Sequence, residues 1–410
     1  MLGAWVILSG LTLLAISLGL QASLLGVRAE IEGFPTEVTG LIMSGYLVGL
    51  LAGVALIPKL LPRLGHGALF AVLTSLATCA LLAQASFAHP AVWGAMRVLT
   101  GFGFGGLLMI AERWLSEQAP GATRARILPA YLTLGHAGLA AGQALLLLSD
   151  PAEFQLFSLA AVITSLALVP ILAGARRTPK DTPPLHIGLW PLFRGSPLAS
   201  VTALGAGLVF GAVFWMGAFY GSLAKFTDEQ VCLLLGCFLG GGLVLQWPLL
   251  KLATLFDRRS VIAGAGFLAT LSGFAAIFVS FYSEPGFFAV VALLGGCSLP
   301  LFSLAVGHAN DRFGGEEACA VGGSVTLLFL IGTGVGALAA GFAMSPRVFG
   351  RNGLFLFITF AHLLVGTYTL YRMARRDGIE RTEQGRSPPL GPSASPVAVG
   401  TAAQALRLTG

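Results

Sequence analysis

Twelve long apolar stretches, separated by short polar connections, are the feature that most constrains the fold of this chain. An α-helix rises 1.5 Å per residue, so crossing roughly 30 Å of hydrocarbon takes about 20 apolar residues. Backbone in lipid must satisfy its own hydrogen bonds, and long unbroken apolar runs do so as helices. We therefore predict an all-α membrane protein with twelve transmembrane helices. The stretches begin near Ala4, Val38, Ala68, Ala91, Ile127, Phe154, Leu198, Gln230, Ser260, Phe287, Cys319 and Leu354.

Composition and charge agree with the membrane class. The chain is 56% hydrophobic and 10% charged, with a mean hydropathy of +0.84. If the amino terminus is cytoplasmic, the inner connections carry thirteen lysines and arginines and the outer ones carry four. This bias explains the net charge of +6 as a topology signal, and we expect no nucleic-acid partner. We predict a multi-pass protein of the cell membrane, in a bacterial inner membrane, with both termini cytoplasmic.

The cysteines and the first helix suggest structural roles only. All five cysteines lie in predicted helices without metal-ligand spacing, so we interpret them as small packing residues. No metal or cofactor is expected. The first apolar stretch lacks a basic leading segment and runs about 24 residues, which indicates a retained span and not a cleaved signal.

The chain divides into two halves of six predicted helices. Residues 1–175 form the first predicted bundle and residues 197–373 the second, with a cytoplasmic linker at 176–196 and a disordered cytoplasmic tail at 374–410. Within the linker, Leu189–Phe193 is expected on the membrane surface. When the second half of the sequence is aligned with the first at an offset of about 196 residues, the tenth predicted helix matches the fourth. Parallel repeats of this kind are typical of secondary transporters, whose binding site lies between the repeats.

Two loops contain degenerate copies of one sequence motif, G-x-L-x-D-R-x-G-R-R. The loop after the second helix reads PKLLPRLGHG and keeps Arg63 and Gly65, with proline at the aspartate position. The equivalent loop of the second half reads LKLATLFDRRS. It keeps Asp257, Arg258 and Arg259 but has threonine at the aspartate position.

Further elements carry a family resemblance. The fourth helix contains Arg97-Val-Leu-Thr-Gly101, an R-x-x-x-G element, and the tenth ends in the sequence GHAND. With six plus six helices and the two loops, residues 1 to about 373 resemble the major facilitator superfamily, and GHAND resembles a branch of poorly characterised bacterial permeases. The resemblance implies that fold and a transport function. Because the family's latch aspartate is missing, it implies an inner gate built differently. The fifth helix lacks the G-P signature of drug antiporters.

Arg97 is the leading candidate for a binding residue. All 18 acidic residues lie in connections or near helix ends, so no carboxylate occupies the middle of a predicted span. An ionisable residue inside the membrane is costly and is usually retained for function. We predict that Arg97 binds an anionic group or gates protons. The alternative is a structural arginine bonded to carbonyls of a neighbouring helix.

The other binding candidates are polar or aromatic residues on faces that lipid would reject or that could line a cavity. Each has a structural alternative: packing, membrane-interface anchoring or pairing within a loop. The candidates are Gln21, Arg28, His136, Gln143, Phe214, Trp215, Gln246 and Ser298.

Charged residues at the predicted inner ends form the third group. We predict that they make gate ion pairs, which form when the inner mouth closes and break when it opens. The alternative is solvated surface charge. The candidates are Arg63, Glu112, Arg113, Arg124, Asp257, Arg258 and Asp311.

These observations together predict a secondary active transporter working by rocker-switch alternating access. Its cargo is expected to be a small organic solute, with an anion favoured because Arg28 and Arg97 have no central carboxylate to balance them. Proton-coupled efflux of amphipathic drug-like compounds is the alternative, and a non-transporting sensor or assembly factor is the alternative from another class. No D-x-x-x-D, H-E-x-x-H or G-x-S-x-G motif lies on any span, so we do not expect an enzyme. We expect a monomer, with protons as the candidate coupling ion.

Overall fold

The computed structural model describes residues 2–118, 124–174, 188–280, 283–313 and 317–375 of the 410-residue chain. Regular secondary structure in these ranges is helical, with two short 3₁₀ turns at Leu145–Leu148 and Gly350–Asn352. The α-helices are α1 (Leu2–Ile31), α2 (Thr36–Leu64), α3 (His66–Ser86), α4 (Pro90–Gln118), α5 (Arg124–Ala144), α6 (Gln155–Leu166), α7 (Leu168–Gly174), α8 (Leu189–Gly195), α9 (Pro197–Leu223), α10 (Asp228–Leu255), α11 (Arg258–Val279), α12 (Glu284–Ser298), α13 (Pro300–Arg312), α14 (Glu317–Ala343) and α15 (Gly353–Arg375).

The predicted all-α membrane fold is confirmed. Within the described ranges, eleven helical segments are long and apolar enough to cross a membrane. The fifth helix is the weak member of the predicted twelve, because its apolar part is the shorter segment Thr133–Leu148. The short helix α8 falls in the predicted linker.

Two of the spans are each built from two helices. Gln155–Gly174 consists of α6 and α7, which meet at Ala167, and Glu284–Arg312 consists of α12 and α13, which meet at Leu299. Pro300 explains the second break. Proline has no N–H to donate to the preceding turn, and its ring clashes with that turn, so a helix kinks or restarts there.

The chain folds into two compact units, each with its own core. Unit 1 comprises Met1–Pro184 and Phe214–Cys232, and unit 2 comprises Leu185–Val213 and Leu233–Gly410. Helix α9 therefore contributes its first half to unit 2 and its second half to unit 1. The predicted bundle boundaries stay a prediction, and most of the predicted linker and tail, at 176–187 and 376–410, lies outside the described residues.

Glycine allows the helix backbones of unit 1 to approach closely. A Cβ atom added at Gly101 of α4 would collide with the carbonyl oxygen of Tyr46, and one at Gly49 of α2 would collide with that of Val98. Lipid provides no hydrophobic driving force for helix association. Small residues at such crossings let the backbones approach closely, and the resulting van der Waals contact stabilises the packing. The contact between α2 and α4 therefore places the backbone of Tyr46 beside Gly101, which lies one helical turn after Arg97 on α4. Glycines of α10, α12 and α14 make similar approaches in unit 2.

Two glycine-to-alanine changes on α4 test this packing. Gly101→Ala should destabilise the protein by about 1–3 kcal/mol because the added methyl group meets the backbone of α2. Gly94→Ala is the matched control, since nothing lies within 4 Å of a Cβ at that position. It should change stability by less than about 1 kcal/mol. Thermal melting of the purified variants in detergent measures both, and equal melting temperatures would contradict the close crossing.

Candidate functional site

Arg97 is buried in unit 1 beside two aromatic rings. Its side chain is 0% exposed. Its guanidinium carbon lies 4.3 Å from the ring centroid of Trp215 and 4.8 Å from that of Tyr46. The two centroids are themselves only 5.0 Å apart, so both rings lie on the same side of the guanidinium and do not sandwich it. Such contacts with aromatic rings stabilise a buried cation.

The hydrogen-bonding groups of Arg97 have no acceptor among the described residues. In the part of the chain that the structure describes, Nε, Nη1 and Nη2 make no hydrogen bond. A buried donor without a partner costs about 1–3 kcal/mol, and more when it is charged. A structural arginine bonded to neighbouring carbonyls would have such partners. The observed arrangement instead leaves a planar fork of donors, the geometry that matches a carboxylate or phosphate.

The rings around Arg97 come from two different helices. Trp215 of α9, a sequence-predicted contact, also packs on the ring of Phe214, with centroids 4.8 Å apart. Sequence reasoning missed Tyr46. A usable signal exists, because Gly45 and Gly49 mark the face of α2 that packs on α4, and Tyr46 follows the first of them. A glycine pattern on one helix, combined with the R-x-x-x-G element on another, could have identified this residue.

Gln21 and Gln143 form a second buried polar feature of unit 1. The Oε1 of Gln21 and both amide atoms of Gln143 lack a hydrogen-bond partner within the described residues. The Nε2 of Gln21 donates to Ser17 Oγ at 3.2 Å. Gly142 of α5 packs closely on the backbone of Leu20 of α1. Gln143 follows Gly142 and Gln21 follows Leu20, so the two glutamines lie at a similar height along their helices. Amides in an apolar interior are costly unless they are paired, so this level of the unit can bind a polar group.

The remaining candidates of unit 1 occupy different surroundings. Arg28 forms an ion pair with Glu32 at 2.6 Å and donates to the carbonyl of Pro151 at 3.4 Å. It is therefore tied to its own helix end and to the loop before α6. His136 is buried on α5.

In unit 2 the two polar candidates belong to separate hydrogen-bonded groups. Gln246 donates from Nε2 to Ser303 Oγ at 3.4 Å. Ser298 Oγ lies 2.9 Å from Nε2 of His362 on α15, a partner that the sequence pattern did not connect with it. Both serines flank the break between α12 and α13, where the backbone is already irregular.

Two ion pairs lie at one end of unit 2. Arg258 of α11 pairs with Asp311 of α13, and the side chains are only 1% and 3% exposed. Arg259 pairs with Asp257 at 2.8 Å, and Asp257 also caps α11 by accepting from the backbone N–H of Arg259. Partial burial alone would raise the pKa of Asp257, but the hydrogen bonds and charge of Arg259 outweigh burial and lower that pKa.

The predicted gating residues of unit 1 differ in their surroundings. The carboxylate of Glu112 is buried and accepts a hydrogen bond from the hydroxyl of Tyr131 on α5, a partner missed from sequence. Arg63 is exposed at the end of α2, and Arg113 is half-buried. The side chain of Arg124 lies outside the described residues. Over the described ranges, no group of three or more His, Cys, Asp or Glu could hold a metal ion.

The ion pair between Arg258 and Asp311 generates a stability prediction. Asp311→Asn should destabilise the protein by about 3–5 kcal/mol, because it leaves a buried guanidinium without its counter-charge. Replacing both partners together, as Arg258→Met with Asp311→Leu, should restore most of the loss. Thermal melting of the three proteins in detergent measures this, and a single variant as stable as the parent would show that the pair is not a buried interaction.

Comparison with known proteins identifies relatives along nearly the whole chain. No family model matches. An uncharacterised MFS-type transporter of Yersinia enterocolitica is 24% identical over 360 residues, which cover 86% of this chain and 91% of that protein. The uncharacterised MFS-type transporter YcaD of Escherichia fergusonii is 24% identical over 374 residues, covering 88% and 94%.

Solved structures share the fold. The nucleoside transporter NupG superposes with a TM-score of 0.73 at 12% identity, over 91% of this chain and 99% of that one. A D-xylose-proton symporter superposes with a TM-score of 0.66 at 12% identity, over 89% and 97%.

Three independent observations therefore agree. The loop and helix signatures, the all-helical membrane fold and the full-length relatives point to one family. This chain is a multi-pass membrane protein that has the fold of the major facilitator superfamily, and over nearly its whole length it is similar to proteins named as MFS-type transporters.

Proposed function

We propose that this transporter carries a small organic anion and binds the anionic group at Arg97. The observation that supports the proposal is a fully buried guanidinium whose three nitrogen atoms have no acceptor among the described residues. An arginine near mid-membrane costs roughly 2.5–3.5 kcal/mol on insertion scales, and a bound anion would offset that cost. A carboxylate is the best-matched anion, because it can accept two parallel hydrogen bonds from the guanidinium.

The rings beside Arg97 favour a flat solute. Tyr46 and Trp215 cover one side of the guanidinium and present aromatic surface next to its donors. An aromatic carboxylate would place its ring against this surface and its charge on Arg97. Gln21 and Gln143 remain proposed contacts for polar substituents of the solute, since both carry unpaired amide atoms in the same unit.

Transport would follow the alternating-access scheme of the superfamily. In this proposal the two predicted six-helix bundles, residues 1–175 and 197–373, move by the rocker-switch scheme, in a bacterial inner membrane, with both termini cytoplasmic and the protein working as a monomer. The pair between Arg258 and Asp311 is the proposed gate interaction of unit 2, because it joins α11 to α13 in a buried position.

Protons are the proposed coupling ion, with Glu112 as the acceptor. Among the acidic residues of unit 1, Glu112 combines burial with a hydrogen bond from Tyr131. The D-xylose-proton symporter among the structural neighbours supports this class of coupling. A buried carboxylate that takes up and releases a proton is also the usual component of a proton relay in transporters.

Efflux of amphipathic drug-like compounds remains the alternative. The packed rings of Phe214, Trp215 and Tyr46 favour it, since such surfaces bind apolar solutes. Arg97 argues against cationic cargo, because a like charge in the same pocket is repelled. The names of the relatives lend no support to a non-transporting sensor.

A thermal-shift experiment with paired probes tests the site. Benzoate and nicotinate should raise the melting temperature of the detergent-purified protein, while their uncharged amides, benzamide and nicotinamide, should not. Arg97→Met should weaken the effect at least about tenfold, since it removes charge-assisted hydrogen bonds. The ligand-free variant should be no less stable than the parent, because the change removes a buried, unpaired charge.

Lys59→Gln is the control, since it removes an exposed cation from α2, the helix that carries Tyr46. Stabilisation by the amides as strongly as by the acids, or retained in Arg97→Met, would reject the anion site. Stabilisation by cationic amphiphiles alone would favour the efflux alternative.

Proton coupling is tested in proteoliposomes with labelled benzoate. Glu112→Gln should abolish accumulation driven by a pH gradient while leaving exchange of internal for external benzoate intact, because exchange needs no net proton movement. Glu153→Gln, an exposed acid in the loop before α6, should leave both activities unchanged. Gradient-driven uptake that survives in Glu112→Gln would remove Glu112 from the mechanism.

A further inference from the structure

A narrow cationic cleft lies in unit 2, separate from the Arg97 site. Three arginines from three helices line it: Arg259 of α11, Arg312 of α13 and Arg372 of α15. His308 of α13 contributes to the same wall. Asp257 pairs with Arg259, and the three guanidinium groups bring positive charge to the walls of the cleft. Concentrated arginine side chains in a partly enclosed space favour anions, and phosphate above all.

The first turn of α9 also lines the cleft. Ser196, Pro197 and Leu198 line the cleft, and the first backbone N–H groups of a helix have no intrahelical acceptor. A helix N-terminus also carries a partial positive charge and binds phosphate readily. This turn therefore adds hydrogen-bond donors to the charge of the three arginines.

Ser196 provides an independent indication of a ligand. Its side chain is 1% exposed, yet its hydroxyl has no hydrogen-bond partner among the described residues. A serine immediately before a helix normally caps it by accepting from an N–H of the first turn. Here the hydroxyl does not act as a cap, so both the hydroxyl and the first-turn N–H groups remain able to bind a group in the cleft.

An apolar groove adjoins the same helix junction. Its lining includes Trp190 and Phe193 of α8 and Leu204 of α9. Trp190 is 62% exposed and stacks on Phe193 with centroids 6.3 Å apart. Exposed aromatic residues on a short helix beside cationic side chains are typical of segments that lie at the membrane surface. An acyl chain in the groove and a headgroup phosphate in the cleft would engage α8 and α9 together.

We propose that this cleft, built from Ser196, Arg259, Arg312 and Arg372, binds a phosphate group. The source is either a phospholipid headgroup or free phosphate, and the apolar groove favours the lipid. Occupation ties the α8–α9 junction to α11, α13 and α15, so the bound phosphate stabilises unit 2. This role does not depend on the cargo that binds at Arg97.

The test measures thermal melting of the full-length chain in detergent. The probes are dioleoylphosphatidylglycerol, dioleoylglycerol as the same lipid without phosphate, and inorganic phosphate against chloride at equal ionic strength. We expect the phospholipid to raise the melting temperature and dioleoylglycerol not to. Arg372→Gln should weaken the apparent affinity about tenfold, the factor that corresponds to roughly 1.4 kcal/mol. Arg375→Gln, the same change three residues along α15 and outside the cleft, should retain affinity within about twofold.

A second variant keeps the proposal testable if Arg372→Gln folds poorly. Ser196→Asp places a carboxylate at the cleft and at a preferred capping position, so it should raise the ligand-free melting temperature and abolish the response to phosphate. Stabilisation by inorganic phosphate alone would support the site with a soluble ligand as its source. No response to either phosphate probe, or an equal response in Arg372→Gln and Arg375→Gln, would overturn the proposal.

Discussion

The close crossing of α2 and α4 is the contact on which the candidate site depends. Lipid offers no hydrophobic drive to bring helices together, so the crossing relies on backbone contact at Gly49 and Gly101. That contact holds the backbone of Tyr46 beside Gly101, one turn along α4 from Arg97, so that the ring of Tyr46 can reach the guanidinium. Without it, the guanidinium would have lost one of its two aromatic neighbours, and a buried cation would have been correspondingly less stable.

The charged groups of the two units serve different purposes. In unit 2, Arg258 is neutralised by Asp311 in a buried pair, and Arg259 by Asp257. In unit 1, Arg97 is supported by rings and not by a carboxylate. A paired cation is satisfied by the protein itself, whereas a cation held only by aromatic faces keeps its in-plane donors available. This contrast is the physical basis for our proposal that Arg97 binds the ligand.

Sequence reasoning reached part of the site for definite reasons. Arg97 was selected because a charge within a span is costly, and Trp215 because its ring could line a cavity. Tyr46 and Tyr131 were missed, because a tyrosine in an apolar helix is ordinary until its partner is known. Ser298 was selected for its polarity, but its partner His362 lies 64 residues away in the chain. No local pattern encodes such a pairing.

The amino-acid sequence by itself determined the all-α membrane class and the resemblance to the major facilitator superfamily, because helix length and loop signatures are local properties of the chain. The tertiary structure alone decided which polar groups meet. It joined Asp311 to Arg258 and Glu112 to Tyr131, and it left the donors of Arg97 without acceptors among the described residues. These outcomes depend on how the helices are rotated and packed against one another, and that rotation follows from contacts distributed over many residues of several helices.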